Sequence, residues 1–426
     1  MIIYRVVSGD SLFKIARNFG VTLQELQNAN GLDGTSSLPI GTALVIPTRN
    51  TSTIVRRGDS LFSIATEYGL TVPELLQYNP NIRPPYTIIP GDTIILPPGS
   101  KLGTIAVNGY CYPNISDETL QKTLPYLTYI SIFSYDIRPD GSLKGLTNDD
   151  RIIAAAREAN VAPLMTVTNL NADQSFDSDL SLKFLRNDVA QRNFIDGIPD
   201  YLKQKGYMGL NLDFEYVYAE NREDYNVFMR ALGERLRAEG LILTTALAPK
   251  SSDNQQGILF EGHDYRALGE ACDWILLMTY DWGYVAGPPM AVSPINEVER
   301  VLRYATKIIP SQKLMMGFPN YAYDWTLPYT PGTKAKYLTH SGAVDLAART
   351  GSTIRFDTTS ATPFFSYKDA SGNEHVVWFD DARSIEAKLK LINEYDLLGL
   401  GIWTINRYYP PLYAVLSSMY DIQKLL

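Results

Sequence analysis

From residue 103 onward the chain alternates short strand-like runs with amphipathic helical patterns, and this alternation limits the fold more than any other feature. The strand-like runs are Gly103–Val107, Tyr129–Phe133, Ala162–Val167, Met208–Tyr216, Ile242–Leu247, Trp274–Tyr280, Lys313–Phe318 and Leu398–Trp403. Between them lie stripes such as Tyr225, Phe228, Met229, Leu232 and Leu236, with the 3.6-residue period of a helix packed on one side. Eight strands, each followed by a helix, predict an α/β fold of the (β/α)8 TIM barrel type. The connection from the seventh to the eighth strand is too long for a loop. It holds three further strand-like runs, at Ser352–Phe356, Pro363–Tyr367 and His375–Phe379, and predicts a small α+β insertion at about 326–390.

The run Gly206–Tyr216 is unusual among these strands. Asn211, Asp213 and Glu215 alternate with Leu210, Leu212 and Phe214, so period two places the three polar side chains on one face. Both faces of a barrel strand are covered. Two carboxylates there are costly unless paired or used, which marks the strand as a carrier of chemistry. Barrel enzymes place their reactive groups at the C-terminal strand ends. Polar and aromatic residues gather at those ends: Met278-Thr-Tyr280-Asp281-Trp282 on the sixth, Phe318–Trp325 after the seventh and Gly401-Ile-Trp403-Thr404 on the eighth. Aromatic rings suit the C–H faces of sugars, and a carboxylic acid suits protonation of a glycosidic oxygen.

The first hundred residues contain a repeat. Ser8–Asn30 aligns with Arg57–Asn79, and Pro39–Pro47 with Ile89–Pro97. Each unit reads strand, helix, helix, strand. Asp10 is a plausible N-cap of the first helix, Gly20 and Gly69 stop the first helices, and Thr22 with Glu25 and Thr71 with Glu74 form capping boxes for the second. Pro73 falls early in its helix, where a missing N–H costs little.

Composition narrows the partners. Residues 1–98 balance their charges, and the rest carries the whole net charge of −8. Neither part is basic, which speaks against nucleic acid. No apolar run approaches the roughly 18 residues of a membrane helix. Cys111 and Cys272 exclude a disulfide framework and a metal cluster built on cysteines, and His263, His340 and His375 lack metal-ligand spacing. The start, Met1-Ile-Ile-Tyr-Arg, lacks the marks of a secretory signal.

Both repeats resemble the LysM module, through Gly-Asp-Ser-Leu-Phe, Ile-Ala, Thr-x-x-Glu-Leu and a closing Asn. That resemblance implies a groove for N-acetylglucosamine units, lined by Gly9, Asp10, Ser11, Leu12, Phe13 and Asn30, and by Gly58, Asp59, Ser60, Leu61, Phe62 and Asn79. On the residues alone, Asp10, Asp59, Asn30 and Asn79 could equally be caps and turn formers. The implied modules span 1–48 and 52–98, joined through Pro97–Gly103 to a catalytic domain over 103–426.

The barrel resembles glycoside hydrolase family 18. Met208-Gly-Leu-Asn-Leu-Asp-Phe-Glu215 stands for that family's Asp-Gly-x-Asp-x-Asp-x-Glu, and the Met-x-Tyr-Asp of the sixth strand and the Trp of the eighth match as well. The family's mechanism implies Glu215 as general acid, Asp213 as partner of the substrate acetamide and Tyr280 as holder of its carbonyl, with no metal or cofactor needed. Asn211, Asp281, Trp403, Met278, Tyr321, Trp325 and Asn169 are expected to bind substrate, and Tyr110 and Tyr135 lie near the same strand ends. Met208 and Asn211 replace two aspartates of the pattern. Asn211 cannot ionise, which implies stronger interaction of Asp213 with Glu215 and an altered acid-side pH profile.

The tandem repeats and Val377–Ile385 together resemble the spore-cortex-lytic enzymes of Bacillus-type bacteria. This implies an endo-acting N-acetylglucosaminidase acting on peptidoglycan during germination, a monomer deposited in the spore coat or cortex without a signal peptide. A chitinase and a non-catalytic glycan-binding coat protein are the alternatives.

Overall fold

A computed structural model describes residues 1–33, 38–48, 51–97 and 101–425. Residues 98–100 of the expected linker, and the expected bounds at 98 and 426, lie outside these.

Each repeat is a two-stranded antiparallel sheet carrying two helices. Ile2–Arg5 pairs with Ala43–Ile46 around helices Leu12–Phe19 and Leu23–Asn30. Thr51–Ile54 pairs with Thr93–Leu96 around Leu61–Glu67 and Val72–Tyr78. Both capping boxes form. Gly20 ends its helix in the left-handed region at φ 67°, while in the second repeat Tyr68 caps and Gly69 follows at φ 67°. The first N-cap is Ser11, not Asp10. The Asp10 carboxylate instead accepts from Val7 N and the Tyr4 hydroxyl.

The two modules sit differently. Ala43 and Val45 of the first belong to the apolar core that lies between the barrel strands and their helices. Ile354 N donates to Ile40 O at 2.9 Å, and Arg383 Nη2 to Gly41 O at 3.2 Å. Gly41, at φ 89°, lets the chains meet, because a Cβ there would stand 1.9 Å from Ile354 O. In the second module Ile95, the counterpart of Val45, packs against the first module's own core.

The eight expected strands form a closed parallel barrel. They are Thr104–Cys111, Tyr129–Ile137, Ala162–Thr168, Gly209–Asp213, Ile242–Leu247, Trp274–Leu277, Leu314–Pro319 and Gly399–Trp403, and the first pairs with both the second and the eighth. Alternation splits their side chains between two cores. Leu210, Leu212 and Phe214 face the helices, whereas Ala106, Tyr110, Leu164, Trp274, Leu276 and Met315 fill the barrel.

The insertion is a five-stranded antiparallel sheet with helix His340–Arg349. Its strands include the three expected runs, as Arg355–Asp357, Thr362–Lys368 and Glu374–Trp378, together with Ala322–Leu327 and Lys336–Leu338. The sheet therefore begins ahead of residue 326. The end of the expected range falls inside helix Ala382–Glu394, whose Ile385, Leu389 and Ile392 pack into the barrel's outer core. The aromatic segment Tyr321–Trp325 reads as a decorated strand end, but most of it pairs as a strand with Glu374–Trp378.

Candidate active site

The fourth strand ends at Asp213, and Glu215 lies just beyond it. The polar face that alternation assigns to three residues is thus strand for Asn211 and Asp213 and loop for Glu215. Two buried side chains fix that loop. Asn169, following the third strand, accepts from Glu215 N at 3.0 Å and donates to Glu215 O at 2.8 Å and Asp177 O at 3.0 Å. His263 accepts from Ala248 N through Nδ1, which leaves its Nε2–H to donate to Phe214 O at 2.9 Å. Burial lowers this imidazole to about 4, so it holds the backbone as a neutral ring. Tyr216 then turns the chain at φ 55°, as Asp281 does after Tyr280 at φ 64°. Non-glycine residues in this region carry strain, and both stand directly after a residue expected at the site.

Three carboxyls converge here. Burial raises Asp213 to about 7. Glu215 is raised well above its ordinary value by burial first, then by the charges of Asp213 and Asp281. Asp281 is raised by burial, although it accepts the Tyr321 hydroxyl at 2.5 Å. Asp213 Oδ1 is buried without a hydrogen-bond partner among the described residues. Tyr280 is buried against the same charges, and its phenol is held well above its usual range, chiefly by burial. Trp403 closes the eighth strand with rings on three sides: Phe133 at 4.9 Å, Tyr110 at 5.5 Å and Tyr112 at 6.0 Å.

Not every expected residue faces this centre. Asn211 is fully buried, with Oδ1 accepting from Tyr110 at 3.2 Å and Nδ2 donating to Thr244 at 2.8 Å, so its amide is spent inside the barrel. Asn169 clamps the loop of Glu215 rather than opening onto the cleft. Trp325 is buried, and its indole N–H donates to Gly287 O at 2.9 Å, tying the insertion to the loop after the sixth strand. Met278 lies in the barrel core beside Tyr280. Tyr135 points to the outer core, where its hydroxyl donates to Asp149. Four exposed aromatics escaped the sequence reading: Tyr112, Tyr216, Tyr284 and Tyr337. Only their place after strand ends or in the insertion could have marked them.

In the modules Asn30 and Asn79 are the clamps that the plainer reading allowed. Asn30 donates to Leu26 O and Val45 O and accepts from Val45 N, and Asn79 repeats this with Leu75 and Ile95. Asp59 accepts from Arg56 N, as Asp10 does from Val7 N. Leu61 is buried and Leu12 partly so. Phe13 and Phe62 stand 63% and 73% exposed, next to Gly9, Ser11, Gly58 and Ser60 at the surface.

A closed parallel barrel with buried carboxyls and an indole at its strand ends is the frame of a glycosidase, and sequence comparison agrees. Residues 172–407 match glycosyl hydrolases family 18, and residues 4–47 and 53–97 each match the LysM domain. The chain belongs to glycosyl hydrolases family 18 and is a glycoside hydrolase with two LysM domains. It is 39% identical to the cortical fragment-lytic enzyme of Bacillus subtilis, over 100% of this chain and 99% of that one. It is 38% identical to the enzyme of that name from Bacillus anthracis, over 99% of both. The crystal structure of the Bacillus cereus spore cortex-lytic enzyme SleL superposes with a TM-score of 0.88 at 36% identity, covering 99% of this chain and 98% of that one.

Proposed function

We propose that the protein is an endo-acting N-acetylglucosaminidase that cleaves β-1,4 bonds after N-acetylglucosamine in bacterial spore-cortex peptidoglycan. The observation that carries this is the unpartnered, buried Asp213 Oδ1 beside Glu215 and Tyr280. A buried acceptor without a donor is costly, and a substrate acetamide N–H satisfies it. The same acetamide can then act as nucleophile, so no second carboxylate nucleophile is required. Glu215, kept protonated by burial and its neighbours, gives its proton to the glycosidic oxygen. The acetamide oxygen, steadied by the Tyr280 phenol, forms its bond to the anomeric carbon as the glycosidic bond breaks. Asp213 stabilises the resulting oxazolinium charge. Glu215, now ionised, takes a proton from the incoming water, which opens the ring with net retention. Trp403 supplies the floor for the reacting sugar, and Tyr321 holds Asp281 at its edge.

The two modules hold the glycan through the surface around Phe13 and Phe62, and two weak sites on one chain add avidity. The cortical fragment-lytic relatives support peptidoglycan as the polymer and the spore as the place of action.

The test is digestion of purified cortex and of chitin, with mass spectrometry of the reducing ends. Reducing-end N-acetylglucosamine from cortex supports the reading, and N-acetylmuramic acid ends overturn it. Products from chitin alone favour the chitinase alternative. Glu215→Gln should abolish release while leaving glycan binding intact.

A further inference from the structure

A cavity of about 440 Å³ opens beside the ends of the second and third barrel strands. Asp136, Arg138, Lys144, Leu170, Asn171, Asp177 and Lys183 are among its walls. The segment that separates it from Glu215 is the one that positions that residue: Asn169 bonds both the Glu215 backbone and Asp177 O, and Ser178 Oγ donates to Tyr216 O. Leu170 also packs in the barrel core with Tyr110, Phe133 and Tyr280. The cavity is therefore a neighbour of the catalytic centre, across one loop.

Its charges are uneven in use. Asp136 is occupied by Lys144 at 3.2 Å and by the Ser134 and Thr168 hydroxyls. Asp177 caps helix Ser178–Leu185 through Leu180 N. Asp136 is paired within the fold, while Asp177 keeps its charge, so the charged walls Asp136, Arg138, Lys144, Asp177 and Lys183 sum to +1. Arg138 and Lys183 are exposed and form no ion pair with a described residue. Two unpaired cations thus give this cavity a net positive lining in a chain of net charge −8.

We infer that this cavity is a subsite for a carboxylate carried by the glycan, on the lactyl group or stem peptide of a muramyl residue, held by Arg138 and Lys183. The inference rests on the peptidoglycan reading above. A neutral polymer such as chitin gains nothing from these cations. A muramyl glycan carries a carboxylate that pairs with them in an otherwise acidic chain, so the cavity discriminates between the two substrates.

The experiment compares the protein with its Arg138→Ala/Lys183→Ala variant. Both side chains are exposed, so the fold should tolerate the change. The substrates are peptide-free muramyl fragments, peptide-bearing fragments, fragments with amidated carboxyls and chitin oligosaccharides. The variant should lose roughly tenfold in kcat/KM, mainly through KM, on a carboxylate-bearing fragment and nothing on chitin. Amidation should bring the unmodified protein down to the variant's level and leave the variant unchanged. Loss on peptide-free fragments assigns the lactyl carboxylate, and loss confined to peptide-bearing ones assigns the stem. Equal loss on chitin, or no loss on either muramyl substrate, overturns the subsite while the function stands. An unmodified protein that cuts chitin and no muramyl fragment overturns the function, and the subsite with it.

Discussion

The two N-terminal modules share a scaffold almost residue for residue but differ in what their outer strand faces touch. Thr22 and Thr71 cap alike, and Asn30 and Asn79 make the same three bonds. On the shared strand, however, Ala43 and Val45 merge into the barrel's outer core, whereas Ile95 rests on the first module. The repeat thus encodes two things separately. Internal residues specify the module, and a few outward residues specify its seat.

The largest break in this comparison should come from charge at the seat. Val45→Asp places an unpaired carboxylate in an apolar interface and should cost on the order of 4 kcal/mol, against about 1 kcal/mol for Ile95→Asp at its part-exposed place. Thermal unfolding of the full chain reads both, and equal costs would mean that the first module is not seated as described. The clamps should not distinguish the modules. Asn30→Ala and Asn79→Ala each strand buried backbone groups and should cost about 2–3 kcal/mol, measured by denaturant unfolding. Glycine sharpens the contrast again. Gly41→Ala meets Ile354 O and an unfavourable φ together, at about 2 kcal/mol or more. Gly91→Ala, at φ 100° with open space around it, should cost about 1 kcal/mol.

The smallest effects concern pH. Glu25 and Glu74 are held below their usual range by bonds from Thr22 and Thr71. A depressed carboxyl stabilises above its unfolded pKa and loses that contribution as acid protonates it. Both modules should therefore loosen in acid, the second first, because it lacks the barrel seat; hydrogen exchange at successive pH values reads the order. Asp213 has the opposite sign. Its pKa is raised from 3.8 to about 7, so the folded protein loses stability as pH climbs through that window. Asp213→Asn should raise the melting temperature more at pH 8 than at pH 4, and equal shifts at both would deny the elevated pKa.

Much of the fold is readable in the sequence because local rules govern it. Short strand-like runs between helical stripes place all eight barrel strands, and capping boxes open the second helix of each module. The site is less legible, since what holds it is distant in sequence. Nothing near Asn169 announces that its amide clamps Glu215, and nothing near His263 that its ring holds Phe214. Trp325 looks like a sugar platform until the insertion's sheet buries it, and Tyr135 sits one register away from the cleft-facing side. Asn30 and Asn79 are polar and close a recurring motif, which suits a ligand as well as a clamp. Only the returning strand, 15 residues beyond Asn30, decides between them.

Because Val45 packs in the barrel's outer core while the Ile40 and Gly41 carbonyls bond Ile354 of the insertion and Arg383, the exposed ring of Phe13 is held at one bearing from Glu215. A binding domain on a loose tether sweeps a volume and brings any bond within reach to the acid. A seated one offers a single separation. On the proposed function, a glycan strand gripped there would present its bonds to the cleft at a set number of sugars from the grip, and the arm would work as a gauge as well as a hand. Fragment length would then be written into the seat of the first module rather than into the chemistry of the cleft.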